Sequence, residues 1–404
     1  MAQPRGPAGH AGGEGRPMSG FLPYGRQTIE DDDIAAVAEA LRGDFLTTGP
    51  TVEAFEAAFA EKVGANHAIA VSNGTATLHL AMMALGIGEG DVCVAPSVTF
   101  LATANCARYV GAGAEVVFAD VDPDSGLMTP DTLAKALAGA RDKRVKAVLP
   151  VHLRGDVCDL PALKAMASAS GAVLVEDAPH ALGSIATFDG VKHPVGDGAY
   201  SSFASFSFHP VKTLATGEGG MLTTNDPALA AKARLLRSHG MVRTVGGDPW
   251  WYEMPELGFN YRIPDVLCAL GLSQLAKLDQ FVARRRELTA LYARLLPERA
   301  PRVRLATSPD HSDAALHLLT VLIDFEAEGI SRRTVVESLK SQGVGTQVHY
   351  IPVHRQPYYA QRYRVADLPG ADAWYARCLT LPLYPAMADG DVERVVDALA
   401  KILG

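Results

Sequence analysis

The sequence predicts an α/β protein in which a large, mostly parallel sheet domain precedes a smaller α+β domain. From His67 onward, short apolar runs rich in β-branched residues alternate with helical stretches, a pattern typical of βαβ units and of a sheet covered on both faces. A chain of 404 residues suits one large and one smaller domain. After Arg262 the alternation stops. We therefore expect the large domain over 21–262, and the connecting helix with the small domain over 263–404.

The large domain is predicted to begin with two helices. The acidic residues from Glu30 to Asp33 suit the positive end of a helix dipole and predict a helix that runs to about Leu41. A second helical pattern covers Val52–Val63. Strand and helix patterns then alternate: HAIAV, Thr75–Leu85, DVCVAP, Phe100–Val110, AEVVFADVD, VKAVLPVH, AVLVEDAPH and SFSF. In a parallel sheet the active groups are expected at the carboxyl ends of the strands.

The two ends of the chain show other patterns. One long helix is predicted over about Pro264–Leu295, followed by strands at HLLTVLIDF and VGTQVHYIPV. Further helices are predicted over Arg332–Ser341 and Asp391–Leu403. Residues 1–20 are expected to form a disordered extension, because the first 17 are mostly Gly, Pro and Ala without an apolar segment, and Met18 is an alternative start.

Charge and composition argue against several classes of function. The formal net charge of −8, without a basic tract, argues against a nucleic acid or an acidic membrane surface as partner. No stretch approaches the roughly 18 apolar residues of a membrane-spanning helix. The five cysteines show no CxxC spacing and no secretory signal is visible, which predicts free thiols in a reducing cytoplasm and no metal site.

One lysine follows the end of a predicted strand in the segment SFSFHPVKTLATGEGGM. Phe206 and Phe208 alternate with serines, which predicts a strand with one face in the core, and Pro210 ends its ladder. Lys212 comes two residues later, ahead of a glycine-rich loop. Taken alone, such a lysine is most often a solvated loop residue.

Three other segments place polar groups near strand ends. In VSNGTAT, Gly74 and Thr75 open a helix and offer N–H groups and a hydroxyl to a phosphate, although most such turns only connect a strand to a helix. In VEDAPHALG, Asp177 suits a metal, an arginine, a protonated ring nitrogen or a helix cap, and His180 follows three residues on. LGFNYRIPD places an amide and a guanidinium in the loop before the long helix.

Together these groups match the needs of pyridoxal 5'-phosphate (PLP). This cofactor requires a lysine for a Schiff base, a carboxylate for its pyridinium nitrogen, and glycine and hydroxyl groups around one phosphate. The chain also resembles the DegT/StrS family of PLP-dependent sugar aminotransferases over about Phe21–Leu403. The resemblance lies in SNGTATLHLA, PSVTFLATANCA, VEDAPHALG, SFSFHPVKTLATGEGGMLTTND, LGFNYRIPD and QVHYIPVH. It implies the fold type I architecture, similar to aspartate aminotransferase.

The resemblance implies three residues around the cofactor ring. Lys212 matches the lysine that bonds the cofactor and shuttles protons, and Asp177 matches the partner of the pyridine nitrogen. Phe100 matches the aromatic residue stacked on the ring, for which a core aromatic is the alternative.

The resemblance also implies the phosphate ligands and a subunit arrangement. Gly74, Thr75 and Ser207 match ligands from the same chain, and Asn260 matches a ligand from a neighbouring subunit. His180 matches the position near the phenolic oxygen of the cofactor. A homodimer with shared active sites is therefore expected.

The implied reaction moves an amino group from L-glutamate to a nucleotide-linked keto sugar in two stages. PYGRQTIEDDDI, DFLTTGP and PWWYE are similar to the branch that acts in pseudaminic acid biosynthesis. That branch implies UDP-2-acetamido-2,6-dideoxy-β-L-arabino-hex-4-ulose as the acceptor. Its phosphates call for basic and aromatic loop residues, and Trp250 and Trp251 suit stacking or dimer packing. The candidates for substrate contact are Arg26, Arg154, Arg243, Tyr261, Arg262, His349 and Tyr350.

Other functions stay open at this point. An aminotransferase for another keto position or another nucleotide shares every catalytic residue. A PLP- or sugar-sensing regulator without turnover is a third hypothesis. The sequence shows neither a DNA-binding helix-turn-helix nor a basic segment, and this argues against a regulator. Related dehydratases replace the lysine with histidine, so Lys212 favours transamination.

Overall fold

The computed structural model describes residues 20–111, 113–243, 246–363 and 367–404, so the predicted extension over 1–20 lies outside the described residues except for Gly20. The helices are α1 (Asp31–Arg42), α2 (Pro50–Val63), α3 (Gly74–Ala84), α4 (Leu101–Tyr109), α5 (Pro130–Ala138), α6 (Leu160–Ala169), α7 (Pro227–Arg237), α8 (Asp265–Ala276), α9 (Leu278–Arg299), α10 (Arg332–Ser341), α11 (Pro357–Arg362), α12 (Pro369–Arg377) and α13 (Asp389–Leu403). The strands are β1 (His67–Val71), β2 (Asp91–Pro96), β3 (Glu115–Ala119), β4 (Arg144–Val148), β5 (Val173–Asp177), β6 (Ile185–Phe188), β7 (Val191–Pro194), β8 (Phe203–Ser207), β9 (Gly220–Thr224), β10 (Val303–Leu305), β11 (Ser312–Asp313), β12 (Leu319–Ile323) and β13 (Cys378–Leu381).

Seven strands form the main sheet in the order β1-β9-β8-β5-β4-β2-β3. β9 is antiparallel to both of its neighbours, and the other pairs are parallel. β9 returns from β8 through a loop without a helix, whereas parallel strands need a longer crossover. The other six strands run in one direction, which confirms the predicted mostly parallel sheet and brings their carboxyl ends to one edge.

The alternation around the lysine segment is confirmed by its packing. Phe206 and Phe208 are fully buried against α2. The ring of Phe206 lies 5.1 Å from that of Phe59, and the ring of Phe208 lies 5.5 Å from that of Phe55. Burial of each ring contributes on the order of 2 kcal/mol. Ser207, between Phe206 and Phe208 in sequence, lies on the opposite face of the strand, at its carboxyl end.

A second core lies under the antiparallel sheet β10-β12-β13 and contains residues of α9, α10 and α13. Leu22, which precedes α1, also belongs to this core, and its N–H donates to the carbonyl of Gly343. Trp374 and Cys378, near the C-terminus, belong to the larger core instead. A segment before α1 therefore packs in the second core, and a segment after residue 370 packs in the larger core. The expected domain division at 262 stays a prediction.

The single helix predicted over about Pro264–Leu295 is wrong, because the chain forms α8 and α9 with a bend of 56° between them. The break is at Lys277, whose Nζ lies 2.7 Å from Asp32 and 2.8 Å from Asp33 at the start of α1. These ion pairs direct the lysine toward α1 at the bend. Apolar residues on both sides of Lys277 hide the break in the sequence pattern.

The strand predicted at VGTQVHYIPV is also wrong. Its backbone groups bond to several partners in turn: the N–H of Gly345 donates to Leu22, and Gln347 exchanges bonds with Thr380. The carbonyl of His349 accepts a hydrogen bond from Trp374 Nε1 at 2.9 Å. The segment is thus an extended connection, and it passes along the edge where the strands of the main sheet end.

Within the described parts of the chain, no single helix is long and apolar enough to span a membrane, and the bent pair α8–α9 meets the criterion by length and composition alone. The five cysteines are free and buried. The expected cellular location stays a prediction.

Candidate active site

A cavity of about 990 Å³ opens at the edge where the parallel strands end. Asp177 is the last residue of β5, Ser207 is the last residue of β8, and Gly74 begins α3 after β1. Ten of the residues singled out from the sequence line this cavity: Gly74, Thr75, Phe100, Asp177, His180, Ser207, Lys212, Tyr261, His349 and Tyr350. The parallel topology therefore gathers groups that are far apart in sequence.

Asp177 has a buried carboxylate with two unequal oxygens. Oδ2 accepts a hydrogen bond of 2.5 Å from Thr103 Oγ1. Oδ1 is buried and has no hydrogen-bond partner among the described residues. Burial raises the pKa of Asp177 to about 6, although the Thr103 hydrogen bond and the charges of Lys212 and His152 lower it. A buried acceptor without a partner is costly, so Oδ1 marks a place for a donor from a ligand.

Lys212 lies in the loop between β8 and β9, directly beyond the strand end. Its backbone N–H donates to the carbonyl of His209 at 2.8 Å, and the N–H of Thr216 donates to Phe208 at 2.9 Å, which closes the loop back on β8. Burial lowers the pKa of Lys212 to about 8, although the charge of Asp177 raises it. The free amine is therefore far more abundant at neutral pH than in a solvated lysine.

The start of α3 forms a small cradle with β8. A Cβ atom added to Gly74 would lie 2.7 Å from Cβ of Ser207, so only glycine fits beside that serine. Asn73 caps the helix by accepting a hydrogen bond from the N–H of Ala76 at 2.9 Å. The N–H groups of Gly74 and Thr75 belong to the first turn, where a helix offers no partner and its dipole favours an anion. Two N–H groups and the Ser207 hydroxyl therefore suit a phosphate.

His180 has a defined tautomer. Its Nδ1 accepts a hydrogen bond from the N–H of Arg154 at 3.3 Å, so the proton of the neutral ring lies on Nε2. Nε2 lies 3.2 Å from the hydroxyl of Tyr350, and the two rings are nearly parallel. Burial lowers the pKa of His180 well below its usual value, so the ring is neutral. His180 thus presents one N–H donor at the cavity wall.

Phe100 precedes α4 and is 57% exposed, so the core-aromatic alternative is wrong. Its ring lies 6.1 Å from that of Tyr350. His349, next to Tyr350, is held by a 2.8 Å hydrogen bond between its Nδ1 and Thr380 Oγ1. Burial lowers the pKa of His349 to about 3, with the charge of Lys212 acting in the same direction. This wall of the cavity is therefore aromatic and uncharged.

Arg154 does not reach the cavity, which corrects the expectation of a substrate contact. The side chain is 4% exposed, and its Nη2 lies 2.5 Å from Asp156. The guanidinium also donates to the carbonyls of Ala306 and Thr307. These partners hold the side chain inside the fold, while the backbone of Arg154 supports His180.

The other expected arginines and Asn260 lie outside the cavity lining of the described chain. Arg243 is exposed and donates to the carbonyl of Pro249 at 3.0 Å. Arg26 is exposed two residues beyond Tyr24, which lines the cavity. Arg262 is half-buried, and Asn260 is exposed. Their expected contacts with substrate or with a neighbouring subunit stay predictions.

Sequence reasoning missed three residues at the site. Tyr24 and His317 line the cavity, and Thr103 binds the Asp177 carboxylate. His317 is buried 4.7 Å from His180, measured between ring centroids. Thr103 lies in PSVTFLATANCA and Tyr24 lies in PYGRQTIEDDDI, so both stand in segments that carry the resemblance.

Residues 27–400 match the DegT/DnrJ/EryC1/StrS aminotransferase family. The chain is 39% identical to the spore coat polysaccharide biosynthesis protein SpsC of Bacillus subtilis, over 95% of this chain and 97% of SpsC. Its structure is similar to that of Helicobacter pylori PseC, an aminotransferase of pseudaminic acid biosynthesis (27% identity, TM-score 0.86, 95% and 99% of the two chains). It is also similar to DesI solved with its TDP-sugar product (34% identity, TM-score 0.83, 95% and 93%).

The sheet, the lysine loop and the buried aspartate define a PLP-dependent aminotransferase of fold type I. PLP is the cofactor, and a sugar aminotransferase of this fold has been solved in its PLP form. The chain belongs to the DegT/DnrJ/EryC1/StrS family, whose match covers nearly all of the described residues, and it is a sugar aminotransferase.

Proposed function

We propose that the protein transfers the amino group of L-glutamate to UDP-2-acetamido-2,6-dideoxy-β-L-arabino-hex-4-ulose, a UDP-linked 4-keto-6-deoxy sugar, as in pseudaminic acid biosynthesis. The observation that carries the proposal is the cavity of about 990 Å³ above Lys212 and Asp177. Sites for small molecules occupy roughly 300–1,000 Å³, so this cavity has room for a cofactor and a nucleotide sugar together. The likeness to PseC supports the choice of sugar.

The residues present fit PLP at each of its polar groups. The unpartnered Oδ1 of Asp177 would accept from the ring nitrogen, and the cradle of Gly74, Thr75 and Ser207 would hold the phosphate. The Nε2–H of His180 would donate a hydrogen bond to the phenolic oxygen. Phe100 would cover one face of the ring. Oδ1 of Asp177 has no partner among the described residues, whereas the Nε2–H of His180 would exchange its contact with the Tyr350 hydroxyl for the phenolic oxygen.

When bound, PLP accepts the electron pair released as the donor amino acid loses its Cα proton. Lys212 Nζ is the basic group at the carboxyl edge of the sheet, and its lowered pKa allows it to take and return a proton near neutral pH. Asp177 keeps a negative charge beside the ring nitrogen above a pH of about 6. His180 and His349 are neutral, so the aromatic wall of the cavity adds no further positive charge beside Lys212.

A substrate panel tests the proposed acceptor. The protein is incubated with PLP, L-glutamate and either the proposed UDP sugar or dTDP-linked 3- or 4-keto sugars, and the amino sugar is measured by mass spectrometry. We expect at least tenfold higher kcat/KM for the UDP-4-keto sugar, a ratio that corresponds to about 1.4 kcal/mol. Preference for a dTDP sugar would contradict the proposal and support the alternative favoured by the likeness to DesI. If the protein reacts with glutamate but aminates none of these sugars, both the proposed acceptor and the dTDP alternative are excluded.

We also propose that two copies share their active sites through the segment around Asn260. Asn260 is exposed at its position after β9 and α7, and nearby Trp250 and Leu257 are 71% and 74% exposed. Exposed apolar residues in one segment are typical of a surface covered by another molecule. A second copy would bury them and bring Asn260 to its neighbour's phosphate cradle.

Complementation tests this arrangement. Lys212→Ala and Asn260→Ala are each expected to be impaired, and mixing them under conditions of subunit exchange should restore about one quarter of wild-type activity. Half of the dimers then contain both variants, and each has one site with an intact lysine and an intact asparagine. If Asn260 served its own subunit, the mixed dimer would have no intact site and activity would not rise.

A further inference from the structure

Two buried threonines form a hydrogen-bond chain to the Asp177 carboxylate. Thr103, on the first turn of α4, donates from Oγ1 to Asp177 Oδ2 at 2.5 Å. The Oγ1 atoms of Thr99 and Thr103 are 2.6 Å apart. Both side chains are buried, at 2% and 0% exposure. They therefore make their contacts without water as an alternative partner.

The direction of this chain follows from the donors available. An ionised carboxylate only accepts, so the single hydroxyl proton of Thr103 is used on Oδ2. The proton between the two threonines must then come from Thr99. Oδ2 is satisfied, while Oδ1 is buried without a partner among the described residues.

The same turn also follows the aromatic residue expected on the cofactor. The N–H of Thr103 donates to the carbonyl of Phe100 at 3.3 Å, which fixes Phe100 at the start of α4. The same turn therefore links Phe100, expected on the face of the cofactor ring, to Thr103, which binds the Asp177 carboxylate expected at the edge of that ring.

We propose that Thr103 is a positioning residue: it occupies Oδ2, thereby aims Oδ1 at the ring nitrogen of PLP, and favours the ionised carboxylate, while Thr99 orients the Thr103 hydroxyl. The inference rests on the proposed role of Asp177. It predicts that loss of the Thr103 hydroxyl weakens only those interactions that involve the ring nitrogen.

Cofactor affinity tests the inference without the sugar. Dissociation constants of the apoprotein are measured by fluorescence titration for PLP and for its 1-deaza analogue, in which a carbon replaces the ring nitrogen. Thr103→Val keeps the shape of the side chain and is expected to weaken PLP binding about 10- to 100-fold, the range for a hydrogen bond to a charged group. Binding of the analogue should change less than about threefold, because it has no ring N–H to lose.

Matched variants keep the test decisive. Thr103→Ser retains the hydroxyl and is expected to bind PLP within about threefold of wild type, while Thr99→Val should give a smaller loss than Thr103→Val and the same preference for PLP over analogue. Equal loss for PLP and analogue in Thr103→Val would show a purely structural role and overturn the inference, as would unchanged PLP binding. If Thr103→Val does not fold, as judged by circular dichroism, the ratio in Thr99→Val decides: a selective loss for PLP supports the chain, and no selectivity overturns it. If the wild-type protein binds PLP and the 1-deaza analogue equally, the proposed role of Asp177 is refuted. The substrate panel with keto sugars tests the proposed acceptor independently of these binding measurements.

Discussion

Lys212→Ala is expected to abolish amino transfer and to remove the borohydride-reducible linkage between protein and PLP. Nζ of Lys212 is the amine that the fold places beside Asp177. The methyl group of alanine can neither bond the cofactor nor move a proton. The variant should still fold, because Lys212 lies in a loop whose closing bonds come from backbone groups. The measurement is borohydride reduction followed by mass spectrometry of the tryptic peptide, together with the rate of amino transfer.

A lysine outside the site provides the control. Lys192 lies on the exposed hairpin strand β7, and Lys192→Ala should retain both the linkage and full activity. A reducible adduct that persists in Lys212→Ala would show that another lysine bonds the cofactor. Loss of activity in Lys192→Ala with the adduct at Lys212 intact would contradict the site as described.

The lowered pKa gives Lys212 a pH signature. Covalent linkage of PLP to the apoprotein requires the free amine, so its rate should rise with pH with a midpoint near 8, whereas an ordinary lysine would give about 10.4. Asp177→Asn should move the midpoint downward, because burial lowers the pKa of Lys212 and the charge of Asp177 opposes that effect. Stopped-flow absorbance measures the rate, and a midpoint near the ordinary lysine value would contradict the lowered pKa of Lys212.

Much of the fold was predictable because it depends on local patterns. Buried strands such as HAIAV and DVCVAP are short and apolar, and helical stretches separate them along the chain. The break at Lys277 was not predictable, since it depends on acidic residues of α1 more than 240 positions away. VGTQVHYIPV shows the same limit: its pattern favours a strand, but its backbone partners are a side chain and two distant segments.

The site was predictable where motifs carry the chemistry and not where tertiary packing decides. Lys212, Asp177 and the Gly74 cradle followed from the residues and the resemblance, and the structure brings them together. Arg154 was misjudged because a loop arginine is usually exposed, whereas this one is buried among Asp156 and two carbonyl groups. Thr103 was missed because a threonine on a helix has no chemistry of its own until a buried carboxylate lies beside it.

Asp177→Asn is expected to lower the rate of the glutamate half-reaction by about 10²- to 10³-fold, which corresponds to roughly 3–4 kcal/mol of electrostatic stabilisation. The substitution keeps the size of the side chain but removes the negative charge that holds a proton on the ring nitrogen. PLP should stay bound through Lys212 and the phosphate cradle, so the loss appears in the rate of proton removal. The measurement is the single-turnover rate of conversion of the PLP form to its amino form on addition of glutamate.

Glu176→Gln is the matched control, because it neutralises the neighbouring carboxyl on the same strand. Glu176 bonds His152 and Ser201 and does not line the cavity of the described chain, so its substitution should change the half-reaction far less than Asp177→Asn. The deficit of Asp177→Asn should also shrink as the pH falls below about 6, since burial raises the pKa of Asp177 and the wild-type carboxylate then takes up a proton too. Equal losses in the two variants would trace the effect to the packing of β5, whereas a loss confined to Asp177 assigns it to charge at the ring nitrogen.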